Sequence, residues 1–135
     1  GKKGEISINE EFIKNQKYLI AILRGLFDTD GCLYFTKNNS KNRSYPIIEI
    51  STHSKALLNQ LYQILASMKF SVKISHFKDS VKLHGKDNLI KFMRFIGTSH
   101  PDKLSMFSYW ARFGYCPKID ELNFEKRMEK LNSGL

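Results

Sequence analysis

The sequence predicts an α+β fold in the order helix, two strands, helix, two strands, helix, followed by further helices. Three observations predict it. Apolar residues recur at helical spacing in three well-separated stretches, around 10–27, 55–68 and 86–96. Between them lie two pairs of short segments in which apolar and polar residues alternate. Each pair is joined by a polar stretch, long in the first case (Lys37–Ser44) and tight in the second (Lys78-Asp79), so each reads as a hairpin. The hairpins together give one four-stranded antiparallel sheet. With 135 residues, the chain reads as one domain over 1–135 with enough apolar content, 41%, to bury a core without staples.

Residues 1–9 show no strong periodicity and read as a lead-in. Asn9 is an N-cap candidate, with Glu10 and Glu11 in the first turn, for a helix over 10–27. Its second half, Tyr18 to Leu23, is apolar all round, which implies burial on more than one side. Cys32–Thr36 and Tyr45–Thr52 are the first pair of strands. Ser54 caps a helix that runs to about Met68, with Leu57, Leu58, Leu61, Ile64 and Leu65 on its buried face. The second pair of strands is Val72–Phe77 and Val81–His84. Lys86–Ile96 is a helix closed by Gly97, and one or two helices follow Pro101, the last near Asp120–Leu131.

Charge narrows the partner class. There are 22 Lys and Arg against 13 Asp and Glu, a net charge of +9, which favours an anionic partner. Cys32 and Cys116 form no C-x-x-C pair and read as free, buried thiols in a reducing compartment. No secretory leader or membrane-length apolar run is seen, so a soluble, intracellular, cytoplasmic protein is expected, an organelle being left open. The four histidines fall in no zinc-ligand spacing, and no phosphate-binding glycine loop or nucleophile elbow occurs, so no small-molecule cofactor and no membrane partner are expected.

The most informative segment is Leu23-Arg24-Gly25-Leu26-Phe27-Asp28-Thr29-Asp30-Gly31. An apolar helix runs into two carboxylates and a glycine. A helix C-terminus carries partial negative charge, so each acid there costs about 0.3–1 kcal/mol and calls for a cation or donor. Ala21 and Gly25, four apart, leave a smooth helix face on which a second backbone can pack closely; Gly25 costs roughly 1 kcal/mol of helix propensity that such a contact would justify. Arg24 and Asp28 are also four apart and are a candidate ion pair. Asp-Gly sequences also close ordinary turns, and Gly31 alone fits an ordinary C-terminal cap.

This run resembles the signature of the LAGLIDADG homing endonucleases: Gly25, Asp28, Asp30 and Gly31 stand at the third, sixth, eighth and ninth motif positions, and Leu23 and Leu26 at the first and fourth. Phe27 replaces an aliphatic residue and Arg24 a small one. The resemblance implies an αββαββα domain with a saddle-shaped sheet and extra C-terminal helices. It implies a site-specific double-strand DNA endonuclease acting as a homodimer, with Mg²⁺ or another divalent cation held by Asp30 and assisted by the Thr29 carbonyl. A single-motif chain supplies one carboxylate, so two chains meet about a twofold axis, with Ala21, Arg24, Gly25 and Asp28 at the interface. Lys103 is the candidate lysine near the reaction centre, and Thr52 or His53 the candidate polar side chain at the end of the second strand. The alternative is a non-catalytic DNA- or RNA-binding relative, a regulator or splicing maturase.

Alternation assigns the sheet faces. Leu33, Phe35, Ile48, Ile50, Val72, Ile74, Val81 and Leu83 point to the core. Tyr34, Thr36, Glu49, Ser51, Lys73, Ser75 and Lys82 are left on the other face, which suits a β-ribbon in the DNA major groove or a plain solvated surface. In the loop over 37–44, Lys37, Lys41 and Arg43 can meet phosphates, while Asn38, Asn39 and Asn42 can read base edges.

Overall fold

A computed structural model describes residues 6–134. The chain runs α1 (Glu10–Lys14), α2 (Gln16–Asp30), β1 (Gly31–Thr36), β2 (Tyr45–Ser51), α3 (Lys55–Ser67), β3 (Val72–Ser75), β4 (Ser80–His84), α4 (Lys86–Phe95), α5 (Pro101–Phe113) and α6 (Phe124–Asn132). The sheet has four antiparallel strands in the order β1-β2-β4-β3, so β1 and β3 are its edges. The expected fold class is the observed one.

Register explains the two faces. Leu33, Ile48, Leu83 and Val72 stand opposite one another across the four strands, as do Gly31, Ile50, Val81 and Ile74. These rows pack with Leu19, Leu23 and Phe27 of α2, Leu58, Leu61 and Leu65 of α3, and Leu89 and Phe92 of α4 in one buried cluster. Fully burying one such side chain stabilises by about 1.5–3 kcal/mol. The same cluster takes in Ile8 before α1 and Tyr109, Cys116 and Leu122 beyond α4.

Four local expectations are corrected. The first helix breaks at Asn15, whose extended backbone and side chain cap a new start by accepting from the Tyr18 N–H. It then continues past Phe27 to Asp30, so both acids lie in the last helical turn. The second half of this helix is not buried all round: Tyr18, Ala21, Gly25 and Thr29 are exposed along one stripe. Strand β3 ends at Ser75, two residues before the expected Phe77, because the reversal at 76–79 is wider than Lys78-Asp79 alone. Cys32 is exposed, not buried, since it lies on the face of the sheet away from the helices, opposite Glu49. Cys116 is buried as expected, and burial pushes its thiol up to about 11.

Two docking devices have no local sequence signal. The lead-in is tied to α3, where the Gln60 side chain accepts from the Ile8 N–H (2.7 Å) and donates to the Ile8 carbonyl (2.9 Å). Helix α6 is held by Arg127, fully buried, which donates to Asp102 Oδ1 (2.6 Å), Ser105 Oγ (2.8 Å) and the Leu122 carbonyl (3.0 Å). A buried guanidinium keeps its charge, so it needs these acceptors.

Candidate nucleic-acid interface and reaction centre

The end of α2 is where three helix termini meet. Helix α2 passes into β1 with no intervening loop, which brings Gly31 against the last turn. A Cβ at Gly31 would lie 2.7 Å from the Phe27 ring and 2.8 Å from the Phe27 carbonyl oxygen. Its backbone is extended (φ −102°), so the glycine is required by close packing and not by a left-handed cap.

The two acids are treated differently. Asp28 uses both carboxylate oxygens within the chain. Oδ1 accepts from the Thr98 hydroxyl, and Oδ2 from the Ser99 N–H (2.8 Å). Asp30 is exposed and its side chain makes no hydrogen bond or ion pair among the described residues. The cation called for at this helix end is Lys103. Its Nζ donates to the carbonyls of Phe27 (2.7 Å) and Asp28 (3.1 Å) and lies 4.9 Å from the centre of the Phe27 ring. Arg24 does not pair with Asp28 as expected. Its Nε donates to the Ile96 carbonyl (2.7 Å) at the end of α4, which takes this large side chain off the open stripe.

Asp30 also lines a cleft of about 510 Å³ with Ser51, Thr52 and His53, at the end of β2, and with Lys78 and Asp79 of the β3–β4 reversal. The cleft therefore brings together Asp30 and both polar candidates from the second strand. Lys78 and Asp79 were not anticipated there. Their only sequence signal is that of a turn, and it is the Thr52 N–H donating to the Asp79 carbonyl (3.0 Å) that brings this turn beside β2.

Lys103 does not line that cleft; it lines a separate cavity of about 500 Å³ with Cys32, Tyr34, Arg43 and His100. Among the described residues no three His, Cys, Asp or Glu side chains cluster as a metal site.

The outer sheet face carries the expected polar set in register. Cys32, Glu49, Lys82 and Lys73 form one row, and Tyr34, Ile47 and His84 the next. Glu49 accepts from the Tyr34 hydroxyl (3.3 Å) and lies 3.9 Å from Lys82 Nζ. Burial first, then the Glu49 charge, push the Tyr34 phenol to about 12. Burial, then Lys73 and Lys82, lower His84 from 6.5. Thr36, Ser51 and Ser75 complete the face. Ser80, between Ser51 and Ser75, is fully buried with an unpartnered hydroxyl.

In the first hairpin loop Lys37, Asn38, Asn39, Lys41 and Asn42 are exposed. Asn38 (φ 41°) and Asn39 (φ 68°) adopt the left-handed conformation that asparagine tolerates. Arg43 is folded back, donating to the Phe35 carbonyl (3.2 Å) on the edge of β1.

A helix closing on a carboxylate with no partner among the described residues, joined directly to a four-stranded sheet with a polar and basic outer face, defines an αββαββα class of domain. The chain belongs to the LAGLIDADG family: a profile described as a LAGLIDADG-like domain matches residues 17–97, more than half of the chain. The family includes homing endonucleases and maturases. No curated protein and no solved structure matches the chain. No helix among the described residues is long and apolar enough to cross a membrane.

Proposed function

We propose that this chain is a site-specific endonuclease that acts as a homodimer and cuts both strands of a long, near-palindromic DNA site, with residues 1–135 acting as one unit. The observation that carries this reading is the pairing of an exposed Asp30, without a partner among the described residues, with an open stripe on the same helix. A Cβ at Gly25 would meet nothing within 4 Å beyond its own helix, so nothing among the described residues requires a glycine there. A second copy laid along Ala21 and Gly25 accounts for that residue and brings a second Asp30 to the same helix end. Arg24 and Asp28, engaged with residues 96–99, brace the base of this seam.

The donor chemistry suits a hard divalent cation. Asp30 offers a free carboxylate, and the Thr29 carbonyl lies beside it in sequence; one carboxylate is too few for such an ion, and two give a shared site. Bound there, Mg²⁺ would supply charge neutralisation at the phosphate and a more acidic water. The remaining tasks fall to side chains of this chain. Lys103, at the negative end of α2, offers positive charge toward a phosphate. Thr52 and His53 are the candidates to orient a water in the Asp30 cleft. Tyr34, Thr36, Glu49, Ser51, Lys73, Ser75 and Lys82 face the groove, Asn39 reads base edges, and Lys37 and Lys41 meet phosphates. Arg43, turned onto β1, supports the loop from behind.

The test is selection of cleaved molecules from a random DNA library, with Mg²⁺ and with chelator. Recovery of one long, near-palindromic motif only with Mg²⁺ supports the reading. Enrichment of bound but uncut DNA under both conditions would instead assign the chain to the non-catalytic binders of its family.

A further inference from the structure

We infer that Asp28 and Thr98 are positioning residues, whose contact sets Lys103 beside the helix end that presents Asp30. This rests on the nuclease reading for its catalytic consequence, but the contact itself is independent of that reading. The segment between α4 and α5 is pinned to α2 at three successive points. Arg24 holds the Ile96 carbonyl, and the Asp28 carboxylate holds the Thr98 hydroxyl and the Ser99 N–H. The Thr98 oxygen in turn accepts from the His100 N–H (3.0 Å), at the N-cap of α5. Asp28 thus places a negative charge at the positive end of α5, where it is favoured.

Lys103 stands in the first turn of that same helix. Where α5 begins therefore decides whether its ammonium reaches the Phe27 and Asp28 carbonyls, 2.7 and 3.1 Å away. The two helices cap each other: α2 supplies the acid for the start of α5, and α5 supplies the cation for the end of α2. Of the two motif acids, one is consumed in this lock and the other is left free. The segment Gly97–Lys103 is then a device that places a cation, and its working parts are a hydroxyl at 98 and a carboxylate at 28.

Thr98→Val removes both hydrogen bonds at nearly constant shape, and Thr98→Ser keeps them. Trace acetylation of the folded protein with an amine-reactive N-hydroxysuccinimide ester, read by peptide mass spectrometry, reports the accessibility of Lys103. Cleavage kinetics on the library-selected site report catalysis, and thermal denaturation confirms that each variant is folded. The expected result is several-fold faster acetylation of Lys103 in Thr98→Val, with kcat lowered by roughly 10–100-fold at unchanged KM. Both effects should return to the wild-type value in Thr98→Ser. Unchanged Lys103 labelling in a folded Thr98→Val protein overturns the inference, and so does an unchanged kcat. If the wild type cuts no DNA, the nuclease reading fails; faster labelling in Thr98→Val then still supports the lock, and unchanged labelling still overturns it.

Discussion

Asp28 and Asp30 stand two positions apart and are used in opposite ways, because only one of them reaches a donor. Asp28 has a donor on each of its oxygens, from Thr98 and Ser99, whereas Asp30 has no partner among the described residues. Asp30→Asn keeps shape and removes charge. It is expected to abolish cleavage while melting temperature and DNA affinity stay near wild type, measured by denaturation and by gel shift on the same DNA. The spacing of the two acids was legible in the sequence, and so was the need for a cation at the helix end. Which acid remains free was legible only through the family resemblance. The partners of Asp28 are about seventy residues away, and a contact at that separation leaves no local period or motif. For the same reason Arg24 was expected to pair with its helical neighbour and instead holds Ile96. Gly31 is the C-cap of α2, as one reading of the sequence allows, but its backbone is extended and the glycine is fixed by the approach of Phe27.

Helix α2 carries the proposed assembly on its exposed stripe. A Cβ at Gly25, the first atom that Gly25→Leu adds, meets nothing within 4 Å among the described residues beyond its own helix. The substitution gains up to about 1 kcal/mol of helix propensity. The expected outcome is a folded protein that sediments as a monomer and has lost double-strand cleavage. The same experiment on the wild type should show a dimer.

Helix α6 depends on a buried guanidinium paired with a partly exposed carboxylate. Asp102→Ala takes that acceptor from Arg127, which is expected to lower stability by about 1.5–3 kcal/mol in denaturant unfolding. Arg127→Met, which removes the charge as well, should cost less.

The strands were legible because alternation is a strong signal when one face is buried, as the rows through Leu33 and Ile50 show. The break at Asn15 was not, since Asn15 competes with an equally good cap at Asn9 six residues earlier.

At the scale of the molecule, the chain carries a net charge of +9, and the cations on the outer sheet face have a consequence there. His84 is lowered below 6.5 by burial and then by Lys73 and Lys82. The unfolded chain therefore takes up a proton that the folded chain resists. The stability at stake is present above pH 6.5 and declines as pH falls through the folded value. His84→Gln is expected to flatten that part of a melting-temperature profile between pH 7.5 and 5. Whether two chains share one centre built from both Asp30 side chains is tested most directly by a mixed dimer. Wild-type and Asp30→Asn chains carrying different tags are co-expressed, and the dimer holding one of each is isolated and given the selected DNA with Mg²⁺. The expected result is wild-type affinity with no double-strand break. A mixed dimer that cuts both strands at the wild-type rate would show that one Asp30 suffices, and the shared centre would have to be abandoned.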